Sequence, residues 1–449
     1  MMVGLTEPAA NPPGPPSPPL PALEAAFDRQ EAHPRWRKLG WLYVATGAVW
    51  AAASVGPMSA AELAGVPLLV AFVVSLDVVW PVLRWWVRQP LVWVLVVWAA
   101  WAGASLLWTP DRAKGGWELA SLRFVYPLLV AWPLMRHRRL LVYALAVGFL
   151  VTNGSQVVLW VGHSMGVEWL QFKAPHPRNA GWWSHPAVCG YMFVAALGLH
   201  LPAAMMGRGR ARWLAAFGCV ATIAGMIATG TRGAWIASAA LIAVVAGVAI
   251  VTRRWSVRSG LIGLVVVGML IGATWMVAGE KIVARGTVGV AEIRAALAEE
   301  KYETDTGGRI KFAKWAWEMG VERPIVGHGA GSYEHWVRER LAREGRGDAG
   351  VKVAPQAHNL WLHVFATLGL VGVVIAGAVA WVAIRGAFGG LTRETLGTYD
   401  AGPAFALVGM LLVTPFDVVY VNSPPSALLG VLLALSVWPR PGPRVEASA

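Results

Sequence analysis

CVATIAGMIATGTRGAWIASAALIAVVAGVAIV, residues 219–251, contains one charged side chain, Arg232, set between two apolar runs. A bilayer core asks for about 20 consecutive apolar residues, and residues 233–251 come close to that on their own. An ionised side chain at mid-bilayer costs roughly 2.5–3.5 kcal/mol even on the lenient insertion scale. Arg232 therefore stands near a membrane surface or holds something negative.

Runs of this kind recur along the whole chain. Its 449 residues are 56% hydrophobic and only 14% charged, where a soluble domain carries about 25% charged residues. A soluble class is excluded, and the expected fold is an all-α polytopic membrane protein. Twelve spans are expected, at 41–56, 62–80, 91–108, 118–135, 139–161, 186–206, 212–230, 233–251, 259–279, 359–383, 401–417 and 424–438. Each is read as a helix, because lipid cannot satisfy a free backbone amide and no alternating barrel pattern appears. The organisation that follows is a tail and lead-in over 1–40, nine spans over 41–279, a polar loop over 280–358, three spans over 359–438 and a second tail over 439–449.

Orientation follows from the basic residues. With the amino terminus in the cytoplasm, nineteen Lys and Arg fall on inside segments, among them Arg35, Arg84, Arg136, Arg208, Arg253, Arg385 and Arg440. The short outside loops hold few. Both termini are then cytoplasmic and the loop 280–358 faces outward. That loop is nearly neutral, with 13 basic and 12 acidic residues. The net charge of +13 is thus mostly a topology signal with basic collars suited to anionic lipid, and nucleic acid is not an expected partner. Residues 8–21, with eight prolines, read as a disordered tail, and EAAFDRQEAHPRWRKLGW reads as a lead-in lying along the membrane surface. Cys189 and Cys219 both fall inside expected spans, so neither is placed for a disulfide or a metal.

Chemistry needs polar sequence, and the loop 280–358 supplies it. AEIRAALAEEKY is rich in helix formers, a break at TDTGG follows, and RIKFAKWAWEMG restarts a helix with Thr304, Asp305 and Thr306 as possible caps. Arg309 is expected in the first turn of that helix, where free amides favour an anion; the alternative is a solvated loop arginine. Pro324 stops the helix, and the glycines of GHGAG allow backbone to approach a ligand closely. His328 and His335 are otherwise ordinary surface residues. His358 and Asn359 are expected at the outer mouth of the tenth span, with Trp361 as an interfacial anchor. Histidine shuttles protons near neutrality; the alternative is an interfacial polar residue. His363 lies five positions on, so the pair lacks the spacing of a helical zinc site.

The seven aspartates include no Asp-x-Asp pair, the usual holder of a divalent ion on a diphosphate. If a diphosphate is handled here, no metal or other cofactor is expected, and arginine forks replace the ion.

TGTRGAW (229–235), GGR (307–309) leading into a tryptophan-bearing helix and PIVGHGAG (324–331), and HNLWL (358–362) with LGLVG (368–372) occur in that order. The set resembles the O-antigen ligase and O-antigen polymerase superfamily over about residues 225–375. The resemblance implies a GT-C-like helical glycosyltransferase, inverting and metal-independent, with its active site on the periplasmic side. As a ligase it would take polysaccharide from undecaprenyl pyrophosphate and join it to a core sugar of lipid A in lipopolysaccharide biosynthesis. The family arginines fall on Arg232 and Arg309, binding the pyrophosphate, and the family histidine falls on His358, the base. Arg178, Lys311, His328, Tyr333 and Asn359 are secondary candidates for contacting donor or acceptor. A polymerase extending a second lipid-linked glycan, or a protein O-oligosaccharyltransferase, fits the pattern too. A transporter or flippase would use Asp77, Arg123 and Asp417, charged residues in or beside expected spans.

Overall fold

A computed structural model describes residues 20–437 apart from 121–124, 168–181, 184, 253–278, 280–282, 285, 346–352 and 422. Arg178, Arg123, both tails and nearly all of the expected ninth span fall outside the described residues.

Only helices, and no strand, are found among the described residues. In chain order they are α1 (Leu20–Ala32), α2 (Pro34–Ala53), α3 (Met58–Val74), α4 (Leu76–Trp86), α5 (Pro90–Ala104), α6 (Arg112–Ala120), α7 (Val125–Ala131), α8 (Arg138–Ser164), α9 (Pro186–Met206), α10 (Gly209–Thr229) and α11 (Arg232–Val251). There follow α12 (286–298), α13 (Asp305–Glu322), α14 (Ser332–Arg343), α15 (Leu360–Gly389), α16 (Gly402–Val413) and α17 (Ser423–Val437). Six stretches among the described residues are long and apolar enough to cross a bilayer, or seven if α3 and α4, bent by 97° at Ser75, form one span. This is a membrane protein.

Four of those stretches, Pro90–Leu107, α9, α10 and α11, match single expected spans closely. Elsewhere the boundaries differ. The expected fourth and fifth spans form one apolar stretch, Tyr126–Gly162, turned by a 3-10 segment at Trp132–His137, while Glu118 belongs to the short polar α6. The expected eleventh and twelfth spans hold shorter apolar helices, Tyr399–Val413 and Pro424–Leu435. The lead-in is no free surface helix: α1 buries Leu23, Ala26 and Phe27, Gln30 donates to the Pro133 carbonyl at 2.9 Å, and Arg136 pairs with Asp28 and Glu31.

The bundle is organised around α9. Of its span, 83% is buried, against 28–39% of the other five. His185 caps it by accepting from the Ala187 amide, and Pro186 sits at its first position, where no amide is needed. Small residues let neighbours approach closely, as helices in lipid require: a Cβ at Gly198 would meet the backbone of Ala406 on α16, and one at Gly190 would meet Thr231 at the start of α11. α10 ends on Gly230 in the left-handed conformation, φ +59°, so α11 begins after a single linking residue.

α15 departs most from expectation. Gly369, at φ +68° and ψ −170°, breaks it in two. The stretch 363–368 is buried, whereas Leu370 and Val374 beyond the break are exposed. The break is satisfied from outside: His328 and Gly329 amides donate to the Ala366 and Thr367 carbonyls, and Leu370 and Val371 amides donate to Pro324 and Ile325. Trp101 on α5 donates to the Leu368 carbonyl at 3.1 Å. Only Leu370–Gly389 is left to cross lipid, about 30 Å of helix. Asn359 caps the apolar stretch Leu360–Gly389, with His358 beside it, and the break at Gly369 lies about three turns further in.

Candidate active site

The site collects where the first turns of α9, α11 and α13 meet the 414–421 loop between α16 and α17. Thr304 caps α13, its hydroxyl accepting from the Gly307 amide at 3.0 Å. The helix therefore includes Asp305–Gly308, and Arg309 is its fifth residue, just past the first turn. Burial opposes the charge on Arg309, but the Tyr191 hydroxyl, Asp417 and Asp305 outweigh it and hold the guanidinium protonated beyond its ordinary range.

Asp417 is buried and heavily partnered. Its Oδ1 accepts from Gln356 Nε2 at 3.1 Å and from the Val418 amide at 2.8 Å, and His358 Nδ1 lies 3.4 Å away. Burial alone would raise this carboxyl, but His358, Arg309 and the Val418 amide hold it below its usual range. An ionised acceptor thus faces the imidazole. His358 itself has φ +49°, a left-handed conformation that costs a non-glycine residue about 1–2 kcal/mol. Such strain persists where surroundings over-determine it, and it gathers at functional sites. Phe312, on α13 near Arg309, packs against the His358 ring at 5.8 Å. The chain just beyond is pinned: Asn359 caps α15 by accepting from the Leu362 amide, donates to the Pro415 carbonyl, and is followed by Leu360 donating to Thr414.

Arg232 opens α11 and is part-buried. The negative group it holds is Glu292 of α12, at 2.7 Å, whose same oxygen accepts from the Thr306 hydroxyl of α13. Arg232 is thus linked through two side chains to the turn before Arg309. A second link runs through Phe416. Its carbonyl accepts from Tyr191 at 3.2 Å, and its ring lies where a Cβ on Gly233 would stand. The structure therefore brings Arg232, Arg309 and His358 into one cluster with Glu292, Thr306, Tyr191 and Asp417.

The secondary candidates stand apart from it or have other work. His328 sits over α13, Nε2 against the Met319 carbonyl at 3.0 Å, and burial lowers its pKa. Tyr333 is buried and donates to the Phe312 carbonyl. Lys311 lies over the rings of Tyr302 and Trp315. The glycines of GHGAG do permit close approach, but to protein: Cβ atoms at Gly327, Gly329 and Gly331 would meet Thr367, Thr109 and Gly115. Asp77 pairs with Arg35 at 2.8 Å on an exposed surface.

Of the added members, Asp417 was visible only as a carboxylate at the edge of an apolar run. Tyr191 and Glu292 had no distinguishing signal, since each joins the cluster through tertiary contacts alone. His363, five residues past His358, lies in a separate buried knot, with Nε2 3.1 Å from Glu118 Oε1, which also accepts from Tyr420.

No curated protein matches the chain. Residues 217–377 match the family model described as O-antigen ligase, a segment that contains Arg232, Arg309 and His358 but not Tyr191 or Asp417. That match supports membership of the O-antigen ligase and polymerase superfamily, a family of glycosyl-transfer enzymes.

Proposed function

We propose that this protein is an O-antigen ligase, moving polysaccharide from undecaprenyl pyrophosphate to a sugar hydroxyl of lipid A–core at the periplasmic face of the inner membrane. The observation that carries the reading is the meeting of two arginines and a strained histidine, all three inside the segment that matches the family, with a buried carboxylate from outside it.

The chemistry follows from the residues. Inversion by direct displacement needs a base on the incoming hydroxyl and a stabilised leaving group on the far side of the sugar. His358 turns Nδ1 toward Asp417, which leaves Nε2 to take the hydroxyl proton, a role worth about 10²–10⁴-fold. Asp417 orients the ring and offsets the imidazolium charge as it forms. As the sugar–phosphate bond breaks, charge accumulates on the diphosphate. Arg232 and Arg309 meet it with forked donors matched to phosphate oxygens, so no divalent ion is required. Glu292 occupies part of the Arg232 fork in this structure, so the donor must displace or share it.

The test is transfer by purified protein in detergent from a defined lipid-linked donor, offered lipid A–core, a second lipid-linked glycan or a protein, with chelator present and no ion gradient. Product on lipid A–core is expected. Product only on the second glycan or on protein reassigns the enzyme to polymerisation or protein glycosylation, and no product on any acceptor overturns glycosyl transfer.

A further inference from the structure

α13 has three distinct sides. One is buried through Trp315, Ala316, Met319 and Gly320, with Gly320 seated directly on Phe365 of α15. A second is polar and tied to α14, Glu318 to Arg340 and Glu322 to the Trp336 indole. The third exposes Trp317 (57%) and Val321 (54%), four residues apart on one helical face, and the turn beyond exposes Ile325 (65%) and Val326.

Isolated exposed apolar residues are ordinary; a contiguous patch marks an interaction surface. This patch has a definite neighbour. The Leu370 and Val371 amides donate to the Pro324 and Ile325 carbonyls, so the turn 324–326 lies alongside the first residues of the spanning part of α15. There the side chains of Leu370 (53%) and Val374 (70%) are exposed on a helix long and apolar enough to cross a bilayer. The stripe on α13 and these exposed side chains of α15 form one continuous apolar surface.

We infer that α13 is an interfacial helix, its Trp317–Val321–Ile325 stripe sunk into the outer edge of the bilayer beside α15. The partner is the lipid surface itself. Helices of this kind lie in the boundary zone with an aromatic or aliphatic face toward acyl chains and charges on the other side, and tryptophan favours that level. Docking fixes the height of α13 and, through it, of Arg309. The docking rests on α15 as a membrane span and does not require any particular reaction.

The test places a nitroxide on V321C and, separately, on I325C in the full-length protein, reconstituted into phosphatidylethanolamine–phosphatidylglycerol vesicles, with A342C on the exposed end of α14 as reference. Cys189 and Cys219 are both buried, and the unsubstituted protein sets the labelling background. Power saturation compares collision with oxygen, which concentrates in lipid, and with a water-soluble nickel chelate. At 321 and 325 oxygen collision should exceed nickel collision, with the order reversed at 342 and no change when the protein-to-lipid ratio is raised. Nickel-dominated collision at 321 and 325, as at 342, overturns the inference. So does shielding from both reagents that deepens with protein density, which would assign the stripe to a second copy of the chain. Two independent positions keep the test decisive if one variant fails to fold.

Discussion

Two aspartates bracket α16, and they are held in opposite ways. Asp400, before its first residue, takes Arg138 Nη1 at 3.0 Å on one oxygen and Arg139 Nε at 3.2 Å on the other. Arg138 spends its remaining donors on the Asp400 and Leu435 carbonyls. Its side-chain partners are two permanent cations and the Thr398 hydroxyl, none of which exchanges a proton near neutrality, so the knot locks α8, α16 and α17 together. Asp417, beyond the other end of α16, faces a titratable histidine in strained backbone and an arginine shared with Tyr191. The Asp417 carboxylate is buried and that of Asp400 is part-buried; burial and ion pairing alone therefore do not mark a site. The mark is a partner able to give up or accept a proton, held in a conformation it would not choose.

That contrast can be broken by mutation. His358→Ala should lower transfer by about 10²–10⁴-fold while the purified protein keeps its thermal midpoint, since Asp417 retains Gln356, the Val418 amide and Arg309 when the imidazole is removed. A fall in midpoint matching the fall in rate would place His358 in the same class as Arg138. Arg309→Lys should cost about 10²-fold in kcat, the scale of losing one pre-set donor to developing charge, because lysine keeps the charge and loses the fork. Full activity with lysine would mean that charge alone suffices. Arg138→Ala should behave inversely. It leaves the part-buried Asp400 with Arg139 and the Thr398 hydroxyl, destabilising by about 1–3 kcal/mol, while kcat per folded molecule stays at the wild-type value. Transfer assays paired with a thermal unfolding series separate the two outcomes.

What could be read beforehand follows the same division. α9, α10 and α11 were legible because a bilayer imposes length and hydropathy on any helix crossing it, and Arg232 stood out against that background. The break in α15 was not legible. LGLVG reads as ordinary apolar helix, and Gly369 leaves it only because the 324–329 turn supplies the missing hydrogen-bond partners. Arg309 and His358 were found by their place in a motif order, but their partners were not, because Tyr191, Glu292 and Asp417 lie on three other elements. Sequence shows which residues are costly where they stand; it does not show which distant group offsets the cost. The GHGAG turn makes the converse point, since glycines that would allow backbone to approach a ligand closely here lie against Thr367, Thr109 and Gly115.

The smallest expected effect sharpens the comparison most. Glu292→Gln keeps an oxygen for the Thr306 hydroxyl and removes the charge opposing Arg232. If the diphosphate must displace this carboxylate, the donor KM should fall about two- to fivefold, since a partly exposed ion pair is worth up to about 1 kcal/mol and 1.4 kcal/mol is tenfold. The acceptor KM should not move, because His358 and Asp417 are untouched. A rise in donor KM would reverse the reading: Glu292 would then orient the guanidinium as Asp400 orients Arg138, and Arg232 would bind phosphate only while its carboxylate remains in place. Initial rates at varied donor and fixed saturating acceptor distinguish the two, and the direction of the change decides which aspartate Glu292 resembles.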